Sequence, residues 1–270
     1  MTTYLKQLDW HRIDASADPK AYAAFLDRLD AEPEMQYVRR TFIDELPCKA
    51  GEWILDSGCG TGSDAALLGQ RVGLQGRVLG MDLSHSQVRC AHSRTVGSID
   101  YAAGSLLCLP LAAGTFDGVL CNRVLMHLAD PQTAVDELVR ALKPGAWLAL
   151  CEPDWSDCRL EPDGPISRAL MQAHCANYAN GAIGARLPEL MQAAGCRVVR
   201  SLERGFAGRD YGKFMAMANL ERTLSYLQDS GRFSVAEIGQ WRLAMEEASS
   251  NGDFSCHTAL TICIGRKEAK

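Results

Sequence analysis

The chain has 270 residues, 47% of them hydrophobic, and a formal net charge of −5 from 28 basic and 33 acidic side chains. This composition is typical of a soluble globular protein, and its acidic balance argues against a nucleic-acid or anionic-membrane partner, which would need clustered Lys and Arg. No apolar run is long enough to cross a bilayer, so we expect no membrane partner.

The first residues, Met1 to His11, lack the basic-then-apolar pattern of a secretory signal, so we expect a cytoplasmic protein. The eleven cysteines are scattered without a C-x-x-C pair. In the cytoplasm they are expected to be reduced, and most of them to be buried. The six histidines show no metal-ligand spacing, so no metal site is predicted.

The first half of the chain predicts helices and then alternating strands and helices. Apolar residues at three- and four-residue spacing predict helices between Tyr22 and Leu46. Beyond Gly51, amphipathic helices follow short apolar strands predicted at 53–56, 77–82, 99–102, 116–122 and 146–151. This alternation indicates a parallel sheet covered by helices on both faces.

The second half is less regular. Prolines between 153 and 165 predict a loop. After it, the predicted order is helices at 166–178 and 187–194, a strand at 197–202, helices at 211–228 and 234–247, and a strand at 256–264. The predicted fold is therefore α/β, a doubly wound, mostly parallel sheet of seven strands.

We expect these elements to form a single domain over residues 1–270. Residues 1–50 would form an N-terminal helical cap and residues 51–152 the core. Residues 153–270 would supply the last two strands and a helical insertion between strands five and six. The N-terminal helices and this insertion are predicted to form a lid.

The most informative segment is the turn after the first strand. Gly58, Gly60 and Gly62 stand at alternate positions, where they let the backbone turn tightly and a ligand approach without meeting a Cβ. The helix that follows presents free N–H groups, which suit an anionic ligand group. Ser63 occupies the place where a dinucleotide fingerprint needs a glycine or alanine, and no Gly-Lys-Ser/Thr follows.

This turn and its companions resemble class I S-adenosylmethionine-dependent methyltransferases. The Asp-x-Gly-x-Gly-x-Gly pattern at 56–62 is similar to the first motif of that family, and Asp82 ends the second strand as the family's acidic residue does. Further similar segments lie at 104–110, 116–127 and 142–145. The likeness covers about residues 35 to 152 and is greatest with the small-molecule branch called type 11 or ubiquinone-biosynthesis-like. It implies S-adenosylmethionine as the cofactor.

The resemblance also implies which residues bind that cofactor. The glycine turn would take its amino-acid end, with Asp56 near the ammonium, and Asp82 would accept both ribose hydroxyls. Asp82 follows Gly60 by 22 residues, close to the spacing of about 20 expected of a ribose-binding acid. The other predicted cofactor contacts are Leu83, Gln87, Ser105, Leu106, Asn122, Arg123 and Arg39. Ser105 departs from the family pattern, which has an aspartate there.

Methyl transfer requires mainly alignment and the exclusion of water, and a general base only if the acceptor starts protonated. His127, after the fourth strand, and Glu152, at the tip of the fifth, are the predicted catalytic residues, with Asp154 as a third candidate. The Asp/Asn-Pro-Pro-Tyr/Phe motif of amino-directed DNA and protein methyltransferases is absent after the fourth strand. We therefore expect a small-molecule acceptor and an O, N or C nucleophile.

Two alternatives stay open at this point. One is an NAD(P)-dependent oxidoreductase on a similar sheet, against which the Ser63 mismatch and the lack of a Tyr-x-x-x-Lys pair both argue. The other is a non-catalytic module that binds S-adenosylmethionine, because methyl transfer has no obligatory side chain. A monomer and a homodimer are both compatible with the sequence.

Overall fold

The computed structural model describes residues 10–95 and 97–269, except for the side chain of residue 206. Residues 1–9, on which part of the expectation about a leader rests, lie outside the described residues. Seven strands form one sheet: β1 (Trp53–Ser57), β2 (Arg77–Asp82), β3 (Ile99–Ala103), β4 (Phe116–Asn122), β5 (Leu142–Glu161), β6 (Cys196–Gly208) and β7 (Ser255–Lys267). Their spatial order is β3-β2-β1-β4-β5-β7-β6.

The first five strands are parallel, and β7 runs antiparallel between β5 and β6. The predicted doubly wound, mostly parallel sheet of seven strands is confirmed. The chain winds outward from β1 to β3, returns to the middle of the sheet, and continues with β4 on the other side of β1. In such sheets ligands bind beyond the carboxyl ends of the strands at this reversal, which here lies between β1 and β4.

Alternate residues of the strands enter two buried layers, as the period of a strand requires. Leu55, Val119 and Leu148 pack in one layer, together with α5 (Pro131–Ala141) and α7 (Leu187–Ala193). The other layer holds the neighbours Ile54, Leu120 and Ala149, and it packs against the helices α2 (Pro33–Glu45) and α3 (Ser63–Val72). Helices therefore cover both faces of the sheet, as the apolar strands predicted.

The remaining helices belong to the N-terminal segment, to the β2–β3 connection and to the second half of the chain. They are α1 (Pro19–Ala31), α4 (His85–Arg94), α6 (Pro165–Ala176), α8 (Tyr211–Met217), α9 (Glu221–Asp229) and α10 (Val235–Asn251). Asp130 caps α5 through the Thr133 amide, with Pro131 in the first turn. Ser84 caps α4 through the Gln87 amide.

One prediction about the second half of the chain was wrong. The expected loop at 153–165 is largely strand, because β5 continues to Glu161 and pairs there with β7. Pro153 is tolerated because β4 has already ended opposite Cys151, so its missing N–H removes no ladder bond on that side. The helices of this half follow the predicted order: α6 and α7 lie between β5 and β6, and α8, α9 and α10 lie between β6 and β7.

The helical part of the insertion has its own buried cluster. Leu170 of α6, Phe214 of α8, Leu224 of α9 and Trp241 of α10 pack together with Cys158 of β5. The helix predicted at 211–228 is two helices, because Asn219 adopts a left-handed φ of 53° between α8 and α9. This cluster joins the insertion to the extended end of β5.

Three further observations concern the part of the chain that the structure describes. Within residues 10–95 and 97–269, no helix is both long and apolar enough to span a membrane. The same ranges contain no group of three or more His, Cys, Asp or Glu side chains arranged to hold a metal ion. All eleven cysteines are free thiols, and seven of them are buried: Cys59, Cys121, Cys151, Cys158, Cys196, Cys256 and Cys263.

Candidate functional site

The glycine turn connects β1 to α3 at the carboxyl end of the sheet. Gly58, Gly60 and Gly62 all have left-handed backbones, with φ of 78°, 50° and 86°. A Cβ on Gly58 would lie 2.2 Å from Cγ2 of Val124, and one on Gly62 would lie 2.6 Å from the Tyr101 hydroxyl. Both positions therefore require glycine for conformation and for space.

Asp82 joins this turn to the end of β2. One carboxylate oxygen accepts the Gly60 N–H at 2.9 Å, and the other accepts the Ser84 N–H at 2.8 Å. Burial raises the pKa of Asp82, and its two backbone hydrogen bonds oppose that rise. The structure thus brings together the two features on which the sequence analysis depended, the glycine turn and the acid that follows 22 residues later.

Four carboxylates, those of Asp30, Asp56, Asp64 and Asp82, lie around the turn, and the guanidinium of Arg39 pairs with two of them. Asp56 is buried with one oxygen unpaired, and its pKa is raised by burial and by the charge of Asp64. Arg39 pairs with Asp64 through Nε at 2.5 Å and also with Asp30. With Asp82 included, negative charge exceeds positive charge at this end of the sheet. A ligand carrying a sulfonium and an ammonium would balance that excess.

Arg39 therefore lies at the glycine turn, where its Nε donates to Asp64 and one of its terminal nitrogens donates to Asp30. Asn122, at the end of β4, donates to the second oxygen of Asp64 at 2.8 Å. Asp30 and Asp64 were missed by the sequence analysis. Asp64 could have been found as an acid in the first turn of the helix that follows the glycine motif, whereas nothing local marks Asp30.

The residues predicted around the adenosine end lie near the tips of β2 and β3. Leu83 is 44% exposed, and Leu106 is buried. Gln87 is buried, and its side-chain oxygen has no hydrogen-bond partner. Ser105 accepts the Leu107 N–H at 3.2 Å. The unpaired Gln87 oxygen is an acceptor still available to a ligand.

The N-terminal segment, residues 10–15, crosses this end of the sheet. Asp14 accepts hydrogen bonds from the Ser84 hydroxyl and from the N–H groups of His85 and Ser86, at 2.8 to 2.9 Å. These bonds hold the pKa of Asp14 down, at about 2, although partial burial opposes them. A cavity of about 170 Å³ lies between this segment and Leu83. The sequence analysis missed this contact.

The same segment reaches the loop after β4. Trp10 lies 5.6 Å from the ring of His127 between centroids, and Nε2 of His11 lies 2.6 Å from the carbonyl oxygen of His127. Residues 10–15 therefore connect the tip of β2 with the tip of β4. This placement agrees with the expected N-terminal covering of the site, although its action as a lid stays a prediction.

The two predicted catalytic residues lie on neighbouring strand ends. The Glu152 carboxylate is fully buried and accepts the N–H groups of Val124 and Leu125 at 2.7 Å and of Met126 at 3.3 Å. Burial nevertheless raises its pKa to about 7. Burial lowers the pKa of His127 to about 3, so its imidazole is neutral.

Asp154, the third candidate, accepts hydrogen bonds from the backbone and hydroxyl of Ser156, two residues further along β5. Arg123, between Asn122 and the amides held by Glu152, has a left-handed φ of 58°. Its backbone N–H donates to the Cys151 carbonyl at 2.8 Å. The loop after β4 is thus fixed to β5 on both sides of its strained residue.

Known proteins with similar sequences agree with this geometry. A family model described as a methyltransferase domain matches residues 55–150. An uncharacterized 37.1 kDa protein in a transposon of Streptomyces fradiae is 36% identical over 85% of this chain and 68% of its own length. The O-methyltransferase resE of Aspergillus sclerotiorum is 32% identical over 57% of this chain and 58% of its own length, so the chain spans little more than half of that protein.

A solved structure shows the same fold at low sequence identity. Phosphoethanolamine N-methyltransferase 2 of Haemonchus contortus, in complex with S-adenosyl-L-methionine, is 16% identical over 97% of this chain and 60% of its own chain, with a TM-score of 0.61. The chain belongs to the class I S-adenosylmethionine-dependent methyltransferases, in the type 11 branch. It is thus an enzyme of methyl transfer, and the comparisons do not support the nicotinamide-dependent alternative.

Proposed function

We propose that this enzyme methylates an O, N or C nucleophile of a small metabolite at the carboxyl ends of β1, β2, β4 and β5. The observation that most directly supports this proposal is the hydrogen bond from the Gly60 N–H to the Asp82 carboxylate, at 2.9 Å. This bond lies beside an excess of negative charge. When bound, S-adenosylmethionine supplies a methyl group on a sulfonium, which an in-line nucleophile takes as the carbon–sulfur bond breaks and its electron pair stays on sulfur. The similarity to the Aspergillus O-methyltransferase supports an oxygen nucleophile.

The proposed cofactor contacts follow from where each group lies. The unpaired oxygen of Asp56 is offered to the ammonium, and Asp82 keeps acceptor capacity for the ribose hydroxyls beyond its two backbone bonds. Gln87, Leu83, Ser105 and Leu106 would enclose the adenine. Arg39 would reach the carboxylate only with its remaining N–H groups, since Asp30 and Asp64 hold the others.

The roles proposed for His127 and Glu152 differ. Glu152 accepts three backbone N–H groups of the β4 loop, so we assign it as a positioning residue rather than a base. His127 lies beside that loop as a neutral imidazole, which can accept a proton, but only weakly with a pKa of about 3. Cytoplasmic location and a monomeric or homodimeric state stay predictions.

Calorimetry with adenosylhomocysteine followed by label transfer tests this function. We expect saturable binding by the wild-type chain, and a labelled product in the small-molecule fraction when methyl-labelled donor is incubated with a metabolite extract. Binding without any labelled product would favour the non-catalytic module. No binding at all would overturn the cofactor assignment.

Cofactor affinity should depend on pH with a definite sign. Asp56 and Asp82 have raised pKa values because they are buried, and a cationic ligand favours their ionised forms. We therefore expect S-adenosylmethionine to bind more weakly as the pH falls, and binding to release protons. Calorimetry in buffers of different ionisation enthalpy measures this release. A proton uptake, or an affinity that rises at low pH, would contradict it.

A further inference from the structure

Aromatic rings form a continuous cluster beside the loop after β4. The ring of Tyr178 lies 5.5 Å from His127, 5.9 Å from Trp155 and 5.3 Å from His174 between centroids. Tyr178 and Trp155 are stacked with an interplanar angle of 11°. The loop after α6 is tied to the β4 loop, because Asn180 donates its backbone N–H to the Met126 carbonyl and its side-chain amide to the Leu128 carbonyl.

Several polar atoms in this cluster have no hydrogen-bond partner among the residues that the structure describes. The Trp155 ring N–H is buried and unpaired, as are both ring nitrogens of His174, a residue only 4% exposed. The Nε of Arg123 is also buried without a partner. Each such group costs about 1–3 kcal/mol when it is left unpaired, so groups of this kind usually meet a ligand or ordered water.

Arg123 places a positive charge at this cluster. Within residues 10–95 and 97–269, no ion pair joins its guanidinium to a carboxylate. Its charge acts on Glu152, His127 and Tyr178, so these three groups lie around it. Glu152 makes no ion pair with this guanidinium, and both of its carboxylate oxygens accept backbone N–H groups.

This charge constrains the acceptor. A guanidinium that pairs with no carboxylate of the described residues attracts an anion, and this attraction is strong where water is excluded. An acceptor that binds as an anion meets this charge, whereas a protonated amine would be repelled by it. A flat ring system can stack on aromatic side chains such as Tyr178 and Trp155 with favourable geometry.

We propose that the acceptor is an aromatic compound bound as its phenolate, with its oxygen on Arg123 and its ring against Tyr178 and Trp155. This inference rests on the proposed methyl transfer and narrows its substrate class. The Trp155 and His174 N–H groups would hold further polar substituents of the ring. Because the oxygen arrives without its proton, transfer needs no general base, and His127 serves as a wall of the site.

The test uses 4-nitrophenol as the probe, because its ionisation changes its visible absorbance. Protein saturated with adenosylhomocysteine is titrated with the probe across pH. We expect the wild type to lower the pKa of the bound probe by about one unit or more, as a close guanidinium does. Arg123→Met should abolish this shift, and Arg123→Lys should retain part of it. Neutral 4-nitroaniline should bind at least about tenfold more weakly than 4-nitrophenol.

Adenosylhomocysteine affinity and thermal unfolding are measured for every variant, so that loss of the fold or of the cofactor site is recognised separately. If Arg123→Met does not fold, Trp155→Phe replaces it; this variant keeps a ring, removes one N–H, and should weaken probe binding without changing cofactor binding. An unshifted probe pKa in a wild type that binds adenosylhomocysteine would overturn the inference. Equal binding of 4-nitroaniline, or tighter binding of 4-nitrobenzoate than of 4-nitrophenol, would also overturn it.

Discussion

Replacing Asp82 by alanine is expected to raise the dissociation constant for adenosylhomocysteine by at least about 100-fold. Hydrogen bonds to a charged group contribute about 1.5–3 kcal/mol each, and the proposed ribose site uses two of them. The substitution also removes the acceptors of the Gly60 and Ser84 amides, so the turn loses its attachment to the end of β2. Calorimetry of the wild type and the variant measures the effect.

Two matched variants separate this role from a general change in charge. Asp100→Ala removes the same charge from an exposed position on the neighbouring strand β3 and should leave the affinity unchanged. Asp82→Asn keeps the shape and one acceptor oxygen, so we expect an intermediate loss of about tenfold. If Asp82→Ala bound the ligand as tightly as Asp100→Ala, the ribose assignment would be wrong.

The second large effect is expected at Glu152. Glu152→Ala leaves the N–H groups of Val124, Leu125 and Met126 without their acceptor at the buried end of β5. At about 1–3 kcal/mol for each of the three orphaned groups, the loss of unfolding free energy is about 3–9 kcal/mol, a large part of the total stability of a domain. Denaturant unfolding monitored by circular dichroism measures it.

The pH dependence of stability supplies an independent check on Glu152. Its folded-state pKa of about 7 is above the ordinary value of 4.5, so the folded state binds this proton more tightly than the unfolded chain does. The unfolding free energy contributed by Glu152 therefore falls as the pH rises from 4.5 to about 7. Glu152→Gln should lack this decline.

Glu152→Gln also distinguishes positioning from base catalysis. A positioning role predicts that the glutamine variant loses stability and turnover together. The side-chain NH2 of glutamine would replace one of the two carboxylate oxygens that accept backbone N–H groups, and an NH2 group cannot accept them. A variant with wild-type stability whose turnover loses only an inflection near pH 7 would identify Glu152 as the base instead.

The glycine turn and Asp82 could be predicted together because their relation is nearly local. Adjacent parallel strands end at the same edge of a sheet, so an acid at the end of β2 necessarily meets a turn that follows β1. The β-α alternation predicted the sheet for a similar reason, since buried parallel strands are continuous apolar runs. Strand β5 was predicted too short because proline was taken to end it.

The contacts around the acceptor end could not be predicted in this way. Asp14 caps α4 from about 70 residues away, and His127 meets Tyr178 across about 50 residues. No spacing or periodicity in the sequence distinguishes Asp14 from an ordinary solvated acid, or Tyr178 from an ordinary packed aromatic ring. Likewise, the sequence around Arg123 gives no sign that its backbone is left-handed or that its Nε has no partner among the described residues.

The amino-acid sequence by itself determined the parallel sheet, the glycine turn and the acid beside it, because periodicity and short-range geometry act within a few residues of each position. Only the tertiary structure decided that Glu152 accepts backbone amides and that Arg123, beside aromatic rings, pairs with no carboxylate of residues 10–95 and 97–269. Burial and charge pairing depend on which distant segments pack together, and that packing sets the chemistry at the carboxyl ends of β4 and β5.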